Sequence, residues 1–140
     1  MTPMSEQRDL VQAAFNGKVG LVIQLLKDGA DINGVGVAWS PLHAAIESQQ
    51  FFCVAVLLRR GADVSQVLHV LTPLAHAVDA TIDQSAQCGA DAFPTDIIRL
   101  LLAAGADPLP GLKVARDYRC AAVVELLEAA CERGKGDAQV

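Results

Sequence analysis

The chain has 140 residues, of which 52% are hydrophobic, 19% are charged and only 4% are aromatic, and its formal net charge is −5. This hydrophobic share excludes a disordered chain, and apolar volume supplied by Ala and Leu favours packed helices over a β-sandwich. The acidic balance argues against binding to nucleic acid or to an anionic membrane.

The start of the chain and its cysteines predict a cytoplasmic protein. The first ten residues contain no basic segment followed by an apolar stretch, so no secretory signal is expected. The cysteines at 53, 88, 120 and 131 show no CxxC spacing, which predicts reduced thiols without a disulfide or a zinc site. We therefore expect one domain over residues 1–140, without a cofactor.

Two short phrases recur along the chain in alternation. A Leu-Leu pair followed by Gly-Ala-Asp occurs at 25–33, 57–65 and 101–109. A Ser or Thr followed by Pro-Leu occurs at 40–46 (SPLHAAI) and at 72–78 (TPLAHAV). The second phrase has the features of a helix start, and the Gly of the first phrase those of a helix end. Their alternation predicts stacked helix pairs.

The two phrases resemble the ankyrin-repeat family, whose unit of about 33 residues opens with T-P-L-H-x-A. Gly29 is 32 residues before Gly61, and Pro41 is 32 residues before Pro73. The resemblance spans roughly residues 5–130. It implies an all-α fold: a short ankyrin-repeat solenoid of four helix pairs with two β-hairpin fingers, one repeat carrying an inserted loop.

The resemblance also divides the chain into repeats at about 5–33, 34–65, 66–107 and 108–131, with a frayed tail over 132–140. We expect Ser40 and Thr72 to cap the helices that follow them, and Thr95 to cap the second helix of repeat three. The fourth pair is expected to begin at Pro110. The glycines of the recurring phrase are expected to end the second helices in the left-handed conformation.

Repeat three is longer than its neighbours. Gly61 and Gly105 are separated by 44 residues instead of 32, which indicates an insertion at about 80–94. Helical spacing of Asp79, Ile82, Asp83 and Ala86 predicts a first helix extended by one to two turns. A loop over 89–94 is then expected to precede the second helix.

The connections that should form the fingers are apolar, NGVGVAWS at 33–40 and SQVLHVLT at 65–72, and their period-two alternation predicts strands. Two interpretations remain open. The fingers either pack on each other, or they present an exposed apolar patch that binds a partner with Trp39 as its anchor. The finger residues predicted to contact a partner are Val35, Val37, Trp39, Val67, His69 and Leu71.

The resemblance further implies a concave binding surface made by the first helices of the repeats. Carboxylates dominate it, which favours a protein partner with a basic surface. The predicted contact residues of this surface and of the insertion are Phe15, Asn16, Glu47, Ser48, His76, Asp79, Asp83, Asp91, Asp117 and Tyr118.

Three functions are compatible with the sequence. Small stand-alone bacterial ankyrin proteins, which this chain resembles, include immunity proteins against toxins, and a cytosolic adaptor is the second possibility. The third is a metal-dependent enzyme, because His76, Asp79 and Asp83 lie at i, i+3 and i+7 of one helix. A solvated acidic helix face is the better explanation of that spacing. We therefore expect a monomeric, non-enzymatic binding protein.

Overall fold

The computed structural model describes the backbone of residues 3–36, 39–85 and 95–138, and the side chains of 7–36, 39–82 and 95–133. These residues form eight helices and no strand. The helices are α1 (Pro3–Phe15), α2 (Val19–Lys27), α3 (Pro41–Glu47), α4 (Phe51–Arg59), α5 (Pro73–Ser85), α6 (Asp96–Ala103), α7 (Pro108–Asp117) and α8 (Ala121–Ala138).

The helices pack as four consecutive pairs, each odd-numbered helix with the even-numbered helix that follows it. The inner helices α1, α3, α5 and α7 pack against one another in series. In the outer layer, α4 packs between α2 and α6. This order of contacts confirms the predicted all-α repeat solenoid.

Ser40 and Thr72 start their helices as predicted. The Ser40 hydroxyl accepts a hydrogen bond from the His43 amide at 3.1 Å, and the Thr72 hydroxyl accepts one from the Ala75 amide at 3.1 Å. In both cases Pro occupies the first helical position, where its missing N–H leaves no bond unmade.

Thr95 lies at the start of α6 as predicted but does not form the expected cap, and the predicted start of the fourth pair at Pro110 was wrong. Thr95 precedes α6, but its hydroxyl accepts from Arg99 Nε at 3.2 Å and caps no backbone amide. Helix α7 begins at Pro108 and not at Pro110, because the Asp107 carboxylate accepts from the Leu109 amide at 3.0 Å. Asp107 had been assigned only to the recurring Gly-Ala-Asp phrase, which concealed its capping role.

The glycines that follow α2, α4 and α6 adopt positive φ angles of 107°, 97° and 100° at Gly29, Gly61 and Gly105. The next amide then reaches the carbonyl five residues back, as from Ala62 N to Leu57 O at 2.9 Å. This bond defines the Schellman helix end and confirms the predicted role of these glycines.

The fingers are not β-strands in the described residues, contrary to the prediction. Each contains one isolated antiparallel bridge, Gly36 with Trp39 and Leu68 with Leu71. Each bridge encloses only two residues and does not continue into a ladder of backbone hydrogen bonds. Side chains hold the rest of the finger, as described below. Four residues, 104–107, join α6 to α7, so no third finger forms.

Repeat three has a long first helix, since α5 has thirteen residues whereas α3 has seven. This length matches the extension expected from the sequence. The predicted loop over 89–94 lies outside the described residues. At the other end of the chain, residues 132–138, expected to be frayed, continue α8 as far as Ala138.

Candidate protein-binding surface

Polar contacts join the two fingers at their bases. Asn33 accepts two hydrogen bonds from the base of the second finger and the residues just before it, at its side-chain oxygen from the Asp63 amide (2.7 Å) and at its carbonyl from Gln66 Nε2 (2.9 Å). His43 Nε2 donates to the Gln66 carbonyl at 3.0 Å, since a carbonyl only accepts. The finger bases therefore pack together, as the first interpretation required.

His43 is fully buried and stays neutral at physiological pH. Burial, reinforced by the nearby His76 and His69, lowers the pKa of His43 from 6.5 to about 4. The neutral ring keeps one proton, which Nε2 uses in the bond to Gln66. Its burial and this bond give His43 a structural role at the base of the second finger.

The tips of the fingers are exposed and apolar, in agreement with the second interpretation. Val35 is 49% exposed, Val67 is 58% exposed and Val70 is 94% exposed. His69 and Val70 both have positive φ angles, 53° and 61°, so this two-residue turn lacks the Gly or Asn that such angles favour. For Val, with its branched Cβ, this conformation is strained.

All three histidines of the chain lie around the ring of Trp39. His76 stacks on it with centroids 4.8 Å apart and an interplanar angle of 11°. His69 approaches edge-on at 4.9 Å, and His43 lies at 6.1 Å. The indole is half-buried by this cluster, so Trp39 is both a support of the second finger and an accessible surface residue.

The position of the histidine in the two recurring phrases is a sequence signal for this cluster that was not used in the prediction. In SPLHAAI the histidine is the fourth residue, whereas in TPLAHAV it is the fifth. His76 therefore occupies the position of Ala44 in the preceding repeat. The shift by one residue turns the imidazole toward the first finger and brings it against Trp39.

One hydrogen bond on the inner-helix face, defined here as the surface of α1, α3, α5 and α7, joins each neighbouring pair of repeats. The bonds are Ser48 Oγ to Phe15 O at 2.6 Å, His76 Nε2 to Glu47 Oε2 at 2.5 Å, and Tyr118 Oη to Asp79 Oδ1 at 2.7 Å. Five predicted contact side chains thus also hold the repeats together.

Three carboxylates repeat along this face at equivalent positions of α3, α5 and α7. They form what we call the acidic row, Glu47, Asp79 and Asp117. Asp117 is exposed, and the Glu47 side chain is 44% exposed despite its bond to His76. A row of carboxylates on one face attracts a cationic surface.

A groove of about 520 Å³ lies at the α1 end of the same face. Val11, Ala44, Phe15 and Trp39 supply its apolar lining, and Arg8 and Gln12 its polar lining. Phe15 is 41% exposed, so a partner side chain has access to an aromatic contact. The sequence prediction included Phe15 and Trp39 but missed the other four residues, of which Ala44 joins the α1 residues only through α1–α3 packing.

The remaining predicted contact residues divide by accessibility. Asn16 is exposed and Tyr118 is 43% exposed, whereas Leu71 is half-buried and His76 is buried. Because His76 is buried, it can influence a partner only indirectly, through its contacts with Trp39 and Glu47. Val37, Asp91 and the side chain of Asp83 lie outside the described residues.

The spacing of His76, Asp79 and Asp83 is described only in part, because the side chain of Asp83 lies outside the described residues. His76 faces Glu47, and Asp79 accepts from Tyr118. No group of three His, Cys, Asp or Glu side chains in the part of the chain that the structure describes is arranged to hold a metal ion. Likewise, none of its helices has the length and apolar character needed to cross a bilayer.

The structure has helix pairs in series, a polar link between each pair of repeats, and an exposed face that is both acidic and apolar. These features define a repeat protein of the protein-interaction class. Residues 10–110 match the family described as ankyrin repeats, in three copies, so the chain belongs to the ankyrin-repeat family.

Among curated proteins, the chain is similar to two ribonucleases. It is 43% identical over 56 residues to the 2-5A-dependent ribonuclease of Homo sapiens, and 38% identical over 64 residues to that of Mus musculus. The match covers 39% and 44% of this chain, but only 8% and 9% of those proteins. The chain therefore spans a small part of these relatives.

Proposed function

We propose that the chain is a non-enzymatic binding protein that holds a basic protein partner against its inner-helix face and finger tips. The observation that carries this proposal is the acidic row beside exposed apolar tips. Apolar tips supply desolvated contact area, and carboxylates beside them steer a cationic partner and set its orientation.

The strained turn at His69 and Val70 supports this use of the second finger. Backbone strain of this kind costs stability and concentrates at functional sites, where the surrounding structure maintains it. Here the Leu68–Leu71 bridge and the contact of His69 with Trp39 hold the turn. The result is a nearly fully exposed Val70 side chain presented for contact.

The experiment is affinity capture from source cells with mass spectrometry, followed by affinity measurement with the recovered partner. Asp117→Lys reverses one charge of the acidic row without removing a bond between repeats, and we expect it to weaken binding about tenfold. Glu125→Lys, on α8, is the matched control and should leave the affinity unchanged. Equal effects of the two variants would show that the acidic row does not bind the partner.

A second pair of variants tests the finger tip. Val70→Asn removes the apolar tip and places a residue there that tolerates positive φ, so it should weaken binding without loss of stability. Phe52→Ser removes an equally prominent apolar side chain, 73% exposed, on outer helix α4, and should have no effect on this partner.

Inhibition of a toxin and retention of a housekeeping protein are two uses of this one surface. The identity of the captured protein distinguishes them. An immunity role requires that the recovered partner is a toxin and that binding blocks its activity. An adaptor role requires a partner that stays functional in the complex.

A further inference from the structure

A second groove lies away from the inner-helix face, between outer helices α6 and α8. Its volume is about 580 Å³. The apolar side chains that line it are Leu102, Ala103, Ala106, Pro108, Leu126 and Ala130. Among the described residues, its charged lining consists of Arg99 from α6 and Arg133 from α8, without a carboxylate.

Two arginines from separate helices meet at this groove although the chain as a whole carries a net charge of −5. Arg99 uses Nε for Thr95, which leaves both terminal nitrogens of the guanidinium able to donate. Arginine pairs with carboxylates through two parallel hydrogen bonds. The groove is therefore complementary to an anionic ligand with apolar groups.

The groove is open to solvent along its length, since Ala106 is the single buried residue of its described lining. A small-molecule site normally encloses most of its ligand, which an open groove does not do. An amphipathic helix, in contrast, needs only one face covered and lies in a groove between two helices. The shape thus favours a segment of protein.

The outer surface of the first two repeats carries a related groove, with one arginine instead of two. A groove of about 460 Å³ between α2 and α4 includes Phe52 and Val56, and Arg59 is its single charged lining residue. Residues 18–27 and 50–60 contain four basic residues and no acidic one. Apolar grooves whose charged side chains are arginines therefore recur on the outer helices. Their charge is opposite in sign to that of the acidic row.

From these observations we propose that the groove between α6 and α8 is a second interface, which binds an acidic amphipathic helix of another protein. Its apolar side chains lie against Leu102 and Leu126, and its Asp or Glu side chains pair with Arg99 and Arg133. This interface goes beyond the proposed function, because it uses different helices and the opposite charge. The chain then links a basic partner on one face to an acidic partner on the other.

The test uses the full chain and a fluorescein-labelled peptide of about 16 residues, with Leu at helical spacing and Glu elsewhere. Fluorescence anisotropy should show saturable binding, and Arg99→Gln combined with Arg133→Gln should weaken it at least about tenfold. Arg59→Gln, on α4, should leave it unchanged. A peptide with Lys in place of every Glu should not bind.

Three results would overturn this proposal. The first is the absence of saturable binding, or binding that survives loss of both arginines in a chain that still melts cooperatively. The second is arginine-dependent binding to phosphatidylglycerol vesicles without peptide binding, which would assign the surface to a membrane. The third is arginine-dependent dimerisation in sedimentation experiments, which would make a second copy the occupant.

Discussion

Val70 exposes 94% of its surface and has a φ of 61°, a conformation that branched side chains disfavour. Left-handed backbone costs an ordinary residue about 1–2 kcal/mol, and Asn less than most. We therefore expect Val70→Asn to raise the free energy of unfolding by about 1 kcal/mol in urea titrations. Val67→Asn, in the same finger without positive φ, is the control, and an equal gain there would remove strain as the cause.

His43 should make stability depend on pH. Its pKa in the folded protein is about 4, below the ordinary value of 6.5, because burial disfavours the charged ring. The contribution of neutral His43 is therefore complete above pH 6.5, and it is lost progressively as the pH falls to about 4. The total loss is roughly 3 kcal/mol, since each pKa unit corresponds to about 1.4 kcal/mol.

Urea unfolding between pH 7.5 and 4.5 measures this effect, with His43→Gln as the comparison. The Gln amide retains a donor for the Gln66 carbonyl but does not titrate. The stability difference between the two proteins should shrink as the pH falls. Parallel curves would mean that His43 is not the titrating group.

At the scale of helices, Gly111 allows α7 to approach α5 closely. A Cβ at this position would lie 3.2 Å from Leu74 Cγ and 3.3 Å from Val78 Cγ2, tighter than ordinary contact. Gly111→Val should therefore destabilise the protein by about 1–3 kcal/mol through overpacking. The midpoint of thermal unfolding measures the change.

Gly20 provides the matched control for this prediction. It lies inside α2, and a Cβ there would meet nothing within 4 Å. Gly20→Ala should raise stability by about 0.5–1 kcal/mol, because Ala loses less backbone entropy in a helix. If both glycine substitutions destabilise, close α5–α7 packing is not the explanation at Gly111.

Sequence predicted those features of the helices that depend on local chemistry. The caps at Ser40 and Thr72 and the left-handed Gly61 each depend on one residue type and on its immediate neighbours. Thr95 does not cap α6 because its ψ of 7° is not the extended backbone conformation that a capping side chain requires. The aromatic cluster around Trp39 was missed because its members come from different repeats and meet only after stacking.

The same distinction applies to the binding surface. The acidic row followed from the register of the repeats, and its carboxylates occupy equivalent positions. The bonds of Glu47 to His76 and of Asp79 to Tyr118 could not be predicted, because side-chain pairing across repeats depends on rotamers and distances. These bonds determine which substitutions test binding and which test stability.

For the whole molecule, the outer layer differs between its middle and its end. Helix α4 packs between α2 and α6, whereas α8 packs mainly on α7 and leaves the groove beside α6. Local stability follows the number of packed neighbours, so the last repeat should open more easily than the second.

Amide hydrogen exchange of the full chain measures this difference. We expect amides in α8 to exchange with an opening free energy lower than those in α4 by at least about 1 kcal/mol. The acidic peptide binds the groove only while α8 is packed in its native position. Saturating peptide should therefore slow exchange in α8 while leaving α2 unchanged. Slowing that instead centres on α2 and α4 would place the acidic helix in the groove beside Phe52 and Arg59.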